Sequence, residues 1–88
     1  LSVQTLLERD QLNFRQALGS IIRDERTGNG RTLREVSAQS LIALGYLSEI
    51  ERGKKEVSSD ILHGICEALD ISLSDLLRRT ADLLDESQ

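Results

Sequence analysis

Apolar residues recur every three or four positions along this chain, and few stretches alternate as a strand would. Phe14, Ala17, Leu18, Ile21 and Ile22 form one such stripe, the spacing of a helix that buries a single face. Asn13 ahead of it, with Gln16 three residues on, predicts a capped start. Thr27-Gly28-Asn29-Gly30 predicts its end, because two glycines and an asparagine compete poorly as helix and supply positive φ cheaply. A second helix is expected from Thr32, which makes a capping box with Glu35 and turns Leu33 and Val36 inward. A third runs from about Leu44 to Glu51, buries Leu47 and Ile50, and stops at Gly53. The fourth is capped by Ser58 or Ser59 and carries Ile61, Leu62, Ile65, Cys66 and Leu69. The fifth is capped by Ser72, with Asp75 at the box position, and continues through Leu73, Leu76, Leu77, Leu83 and Leu84. Val3, Leu6 and Leu7 make residues 1–12 an amphipathic lead-in, either a short docked helix or a frayed end. The expected organisation is all-α: the lead-in over 1–12, a helical domain over 13–79, and the end of the fifth helix with a tail over 80–88.

Composition narrows the class. The chain has 88 residues, no Pro, no Trp, one Phe and one Tyr, enough for one domain with a modest core but not for a deep enzyme pocket. The single cysteine, Cys66, excludes an intramolecular disulfide and fits a reducing compartment, so a cytoplasmic location is expected. Apolar runs are too short to span a membrane, and Glu8, Arg9 and Asp10 break the first fourteen residues, so no secretory segment is expected there. His63 and Cys66 stand three apart on the fourth helix, half of a metal set. No second Cys or His exists, so neither metal nor cofactor is expected; Cys66 reads as core and His63 as surface. No nucleophile–base–acid grouping or glycine-rich phosphate loop has local support, so the chain is not expected to be an enzyme.

Charge is uneven. The net charge is −4, yet residues 15–55 hold eight Arg or Lys against five acids, while residues 56–88 hold two Arg against eight acids. A docking surface responds to its local field, so the front half suits a polyanion and the acidic half should face away from it.

Residues Thr32 to Gly53 then read as two short helices broken by a tight turn, the outline of a helix-turn-helix. The outer face of the second of these carries small or hydroxylated side chains with cations at its edge, which suits a helix entering the major groove. Arg31, Arg34, Arg52, Lys54 and Lys55 are the candidate phosphate contacts, and Ser58 opens a helix whose free N–H groups suit a phosphate. The bland alternative is a solvated charged face. Two copies would reach about ten phosphates, which predicts a steep salt dependence.

In order and spacing, Leu18-Gly19, Ile22-Arg23 through Arg26, Thr32 through Ser37, and Tyr46-Leu47-Ser48-Glu49-Ile50-Glu51-Arg52-Gly53 resemble the phage-repressor-like regulators of the Xre, or Cro/CI, type. The match covers roughly residues 14–77. It implies a five-helix λ-repressor-like DNA-binding domain and a transcription regulator. Gly45 to Gly53, Lys55 to Ser59 and Ile65-Cys66 carry a narrower resemblance, to actinobacterial activators of the genes for the ATP-dependent Clp protease. That group implies a dimeric activator on palindromic promoter sites, with double-stranded DNA and a second copy as partners and RNA polymerase as a further candidate. A protein–protein module or antitoxin-like regulator on the same fold is the alternative.

Family and position together make Leu44, Gly45, Ser48 and Glu49 the base-reading candidates. Leu44 suits a thymine methyl, Gly45 close backbone approach, Ser48 either kind of base edge, and Glu49 a cytosine amino group. In an ordinary surface helix Glu49 would instead pair with Arg52. Tyr46 is open between a phosphate contact through its hydroxyl and a ring that covers the joint between the second and third helices. The resemblance also implies an internal ion pair between Arg26 and Glu51. Three positions depart from the family pattern: Leu33 replaces a glutamine that supports phosphate contact, Leu41 the turn glycine, and Ala43 the Ser or Thr cap of the third helix. The turn at Leu41 must therefore be built with negative φ or with strain. Arg34 is placed to take over part of the phosphate binding that a leucine at position 33 does not provide. Dimerisation is expected through Leu76, Leu77, Leu83 and Leu84, the first two also closing the core and the last two exposed in a single copy.

Overall fold

The computed structural model describes residues 12–87, most of them in five helices. These are α1 (Phe14–Gly28), α2 (Leu33–Ser40), α3 (Leu44–Glu51), α4 (Ser59–Leu69) and α5 (Leu73–Glu86). The expected lead-in, with Val3, Leu6 and Leu7, lies outside the described residues. No helix among those described is long and apolar enough to cross a membrane.

Local chemistry sets the starts. Asn13 and Thr32 each accept a hydrogen bond from the N–H three residues on, and Gln16 and Glu35 reach back to the cap N–H, two complete capping boxes. Ser58 and Ser72 cap α4 and α5 without the reciprocal bond. Between the two serines open at the start of α4, the structure selects Ser58, which accepts from the Ile61 N–H at 3.3 Å.

Four of the five helices end on a left-handed residue that lets the chain turn back on its own carbonyls. Gly30 and Gly53 do this as glycines, at φ 68° and 73°. Leu41 and Asp70 do it as ordinary residues, at φ 60° and 55°. After α3, the Gly53 N–H bonds the Ile50 carbonyl at 3.0 Å and the Lys54 N–H bonds the Glu49 carbonyl at 2.9 Å, the paired bonds of a Schellman ending.

The helical stripes then close on one core. Leu18, Ile22, Val36, Leu47, Ile50, Ile65, Leu69 and Leu76 are fully buried in it. α1 packs against α5 on one side and α3 on the other, and α2 lies between α3 and α4. Burying a side chain of this size contributes about 1.5–3 kcal/mol, so eight such residues drive the fold. Thr80 is a buried polar residue, and its hydroxyl donates to the Leu76 carbonyl at 2.8 Å, which removes the desolvation cost. Arg79 on α5 bonds Glu25 on α1 and ties the two long helices at their surface.

α5 differs from expectation in which leucines it buries. Leu76 is fully buried and has no surface to offer a second copy, so its assignment to a dimer contact is corrected. Leu77 was expected to close the core but is 40% exposed. Leu83, expected to be exposed, packs partly against the core, and Leu84 is half-buried. The reason is helical phase: Leu76, Thr80 and Leu83 follow each other at steps of four and three, which is the buried stripe, and Leu77 sits 100° round from Leu76. α5 also passes through residue 80 without a break.

Candidate nucleic-acid interface

α3 is held rigidly at one end and left open at the other. At its C-terminal end, the Arg26 guanidinium grips Glu51 through two parallel bonds, Nε to Oε2 at 2.7 Å and Nη2 to Oε1 at 2.9 Å. Its Nη1 donates to the Arg31 carbonyl at 2.9 Å, so one side chain fixes α1, α3 and the loop before α2. Both partners are largely removed from water, and the bond to Glu51 stabilises the charged guanidinium further, raising its pKa above the ordinary value. Gly19 lies where α1 crosses this end. A Cβ there would stand 2.3 Å from the Ile50 carbonyl oxygen and 2.6 Å from that of Glu51, so only glycine fits. Gly53 is equally confined, with its Cβ position 2.8 Å from the Gln16 Cα.

The N-terminal end has none of this. Ala43 occupies the cap and makes no side-chain hydrogen bond, so the first N–H groups of α3 have no capping oxygen. Leu41, two residues before Ala43, carries the left-handed turn without being glycine, and it is 91% exposed. The turn is thus built with strain rather than with negative φ. Ser37 braces it from both sides: its hydroxyl donates to the Ile42 carbonyl, and its carbonyl accepts from the Leu41 and Ile42 N–H groups.

Of the candidate base-reading residues, Leu44 and Gly45 sit at this end, and Ser48 and Glu49 follow one turn on, in the C-terminal half. Gly45 is exposed with nothing within 4 Å of its Cβ position, while Leu44, Ser48 and Glu49 are half-buried. Arg34, Arg52, Lys54 and Lys55 are exposed, Arg31 is half-buried, and none of the five joins an ion pair among the described residues. The alternative pairing of Glu49 with Arg52 is not formed. Ser48 and Arg52 line a shallow depression with Leu33 and Arg23. Arg23 is an exposed cation to which the sequence alone assigns no role; its signal was its position one turn before Arg26 on α1.

Tyr46, open between two roles, is engaged within the chain. Its hydroxyl, a candidate for a phosphate, donates instead to the Glu56 carbonyl at 2.9 Å and braces the loop between α3 and α4, while its ring packs against the core. Ser58 uses its oxygen as the cap of α4. His63 is exposed and Cys66 buried; burial pushes the Cys66 thiol above its ordinary range and keeps it neutral. No group of three or more metal-ligating side chains gathers among the described residues.

Five helices, with a short second and third joined by a tight turn and the third exposed beside free cations, define an all-helical helix-turn-helix domain of the Cro/CI type. Residues 22–76 match the family model described as helix-turn-helix. The chain belongs to that family. It is closely related to the transcriptional regulator ClgR of Mycobacterium tuberculosis, with 54% identity over 63 residues, 72% of this chain and 56% of that protein. The chain thus matches little more than half the length of that relative. The crystal structure of the clp gene regulator ClgR from Corynebacterium glutamicum superposes with a TM-score of 0.83 at 43% identity, over 86% of this chain and 81% of that one. The restriction-modification controller protein C.AhdI from Aeromonas hydrophila superposes with a TM-score of 0.68 at 28% identity, over 69% of this chain and 92% of that one.

Proposed function

We propose that the chain is a transcription regulator that binds palindromic duplex DNA as a symmetric dimer. In this reading the two copies of α3 enter successive major grooves about 34 Å apart. The observation that supports it best is the face of α3 that carries Gly45, Ser48 and Glu49, residues three and four apart. Gly45 presents bare backbone, Leu44, Ser48 and Glu49 stand beside it, and Arg34, Arg52, Lys54 and Lys55 fringe the site with no ion pair of their own. A surface of this kind reads base edges at its centre and phosphates at its rim. Of the α5 leucines, Leu77 and Leu84 share the face that offers apolar surface to the second copy. The kinship with ClgR supports activation of Clp protease and related proteostasis genes from cytoplasmic promoters, with RNA polymerase as the further partner.

Selection of bound sequences from a random duplex pool, followed by footprinting, tests this. A two-fold symmetric sequence with half-sites one helical turn apart is the expected product. Sequence-independent binding by a single copy at physiological salt contradicts it. Two variants separate the roles. Glu49→Ala should relax preference at one position per half-site, whereas Arg52→Ala should weaken all sequences alike and lower the salt slope. Unchanged preference in the Glu49 variant removes that residue from base reading.

A further inference from the structure

α5 carries a second apolar stripe that the core does not use. Leu77, Ala81 and Leu84 follow one another at steps of four and three, so they share a face, one step round from the buried Leu76 and Thr80 and the half-buried Leu83. Leu77 and Ala81 are exposed and Leu84 is half-buried. Arg78 and Asp85 border this stripe. They stand seven residues apart, two turns of helix, and therefore lie along the same edge. Both are exposed. The partner of Arg78 within the chain is Asp75, in a pair whose side chains are 72% and 62% accessible. A pair so exposed holds weakly and leaves guanidinium donors free. The side of α5 that faces α1 is different, because Arg79 there is already bonded to Glu25.

We propose that this face is self-complementary: it pairs with the same face of a second copy, antiparallel and centred on Ala81, with Arg78 of each copy opposite Asp85 of the other. The proposal rests on the dimeric reading above and adds its register and its selectivity. In an antiparallel two-fold pair, residues level with one another have numbers whose sum is nearly constant, and Leu77 with Leu84, Ala81 with itself and Arg78 with Asp85 are each level to within one residue of helix rise, about 1.5 Å. Centring on Ala81 sets Leu77 opposite Leu84 of the partner, twice, with the small Ala81 side chains at the crossing where the helices come closest. A two-fold axis normal to the plane of the two helices keeps each edge on its own side. Arg78 therefore meets Asp85 of the partner, and the same contact forms again across the axis. Sliding the centre to residue 78 sets Arg78 against Arg78, and sliding it to residue 85 sets Asp85 against Asp85. The charges thus oppose both one-heptad slips while the leucines alone tolerate them.

Charge reversal in the full chain tests the register. Arg78→Asp and Asp85→Arg should each shift dimer dissociation, measured by sedimentation equilibrium, to at least about tenfold higher concentration, because both reciprocal pairs turn repulsive. An equimolar mixture of the two variants should form a heterodimer, and the double variant on one chain should dimerise with itself about as well as the original. Circular dichroism should show all three folded, since both side chains are exposed. Single variants that dimerise as tightly as the original chain overturn the register and leave the dimeric reading standing. An original chain that stays single at every concentration overturns both.

Discussion

The two ends of α3 are built on opposite principles. At the C-terminal end every device adds stability: a bidentate ion pair from Arg26, a glycine crossing at Gly19, and a Schellman ending through Gly53. At the N-terminal end each device is missing or replaced by something worse. Ala43 does not cap, Leu41 takes a glycine's conformation, and Gly45 weakens the helix interior with no packing reason of its own. Each of these three departures costs on the order of 0.5–2 kcal/mol. A helix of eight residues cannot stand alone in water, so the clamped end carries it. The fold therefore lodges the stability of α3 away from the surface proposed to meet DNA, and leaves Gly45 there without a side chain to stand off a base edge.

Breaking the clamp should have the largest effect. Arg26→Ala leaves the Glu51 carboxylate enclosed without its partner, an expected loss of about 3 kcal/mol, or roughly 12–24 °C in Tm for a domain of this size. Gly19→Ala should follow at about 2 kcal/mol, because α1 must move off the Ile50 carbonyl. Thermal melts followed by circular dichroism measure both. Losses below about 0.5 kcal/mol would mean that the clamp does not carry α3.

Mending the open end should act in the other direction and more weakly. Leu41→Gly relieves the left-handed strain and Ala43→Ser supplies the missing cap, each with an expected gain of up to about 1 kcal/mol. The two sites are neighbours, so the double variant shows whether the turn and the cap act together. Melts in which neither change stabilises the chain would mean the N-terminal end is already at its optimum.

The smallest effect concerns pH. The Thr32 backbone N–H, and then its hydroxyl, hold the Glu35 carboxylate below the ordinary range. A carboxylate depressed in the folded state contributes stability that is full above its unfolded pKa and lost as pH falls through the folded one. An acid titration of stability below pH of about 4.3 should therefore be slightly shallower for Glu35→Gln, which keeps the box geometry without the charge.

Much of this was legible in the sequence, and the reason is local chemistry. Asn13 with Gln16, Thr32 with Glu35, and Gly53 each fix a boundary by hydrogen bonds that reach only three or four residues. What was not legible depends on distant packing. Nothing near Gly19 announces the carbonyls of α3 against it, and nothing near Glu25 announces Arg79. Leu76, Leu77, Leu83 and Leu84 are chemically alike, so only the phase of α5 against α1 decides which are buried. Tyr46 offered two roles by position, and its hydrogen-bond partner at Glu56 is set by the loop rather than by the helix.

Gly45→Ala sets stability and DNA binding against each other in one side chain. The added methyl group meets nothing in the chain, and alanine forms helix better than glycine by at most about 0.8–1 kcal/mol, less in the first turn, so Tm should rise by up to a few degrees. If α3 is left bare so that its backbone can approach a base edge, the same methyl should lower affinity for the selected DNA site. Melting temperature and DNA affinity, measured together on this one variant, should show a more stable protein that binds less tightly. A variant that is more stable and binds as tightly as before, or tighter, would contradict the idea that α3 gives up stability for access to DNA.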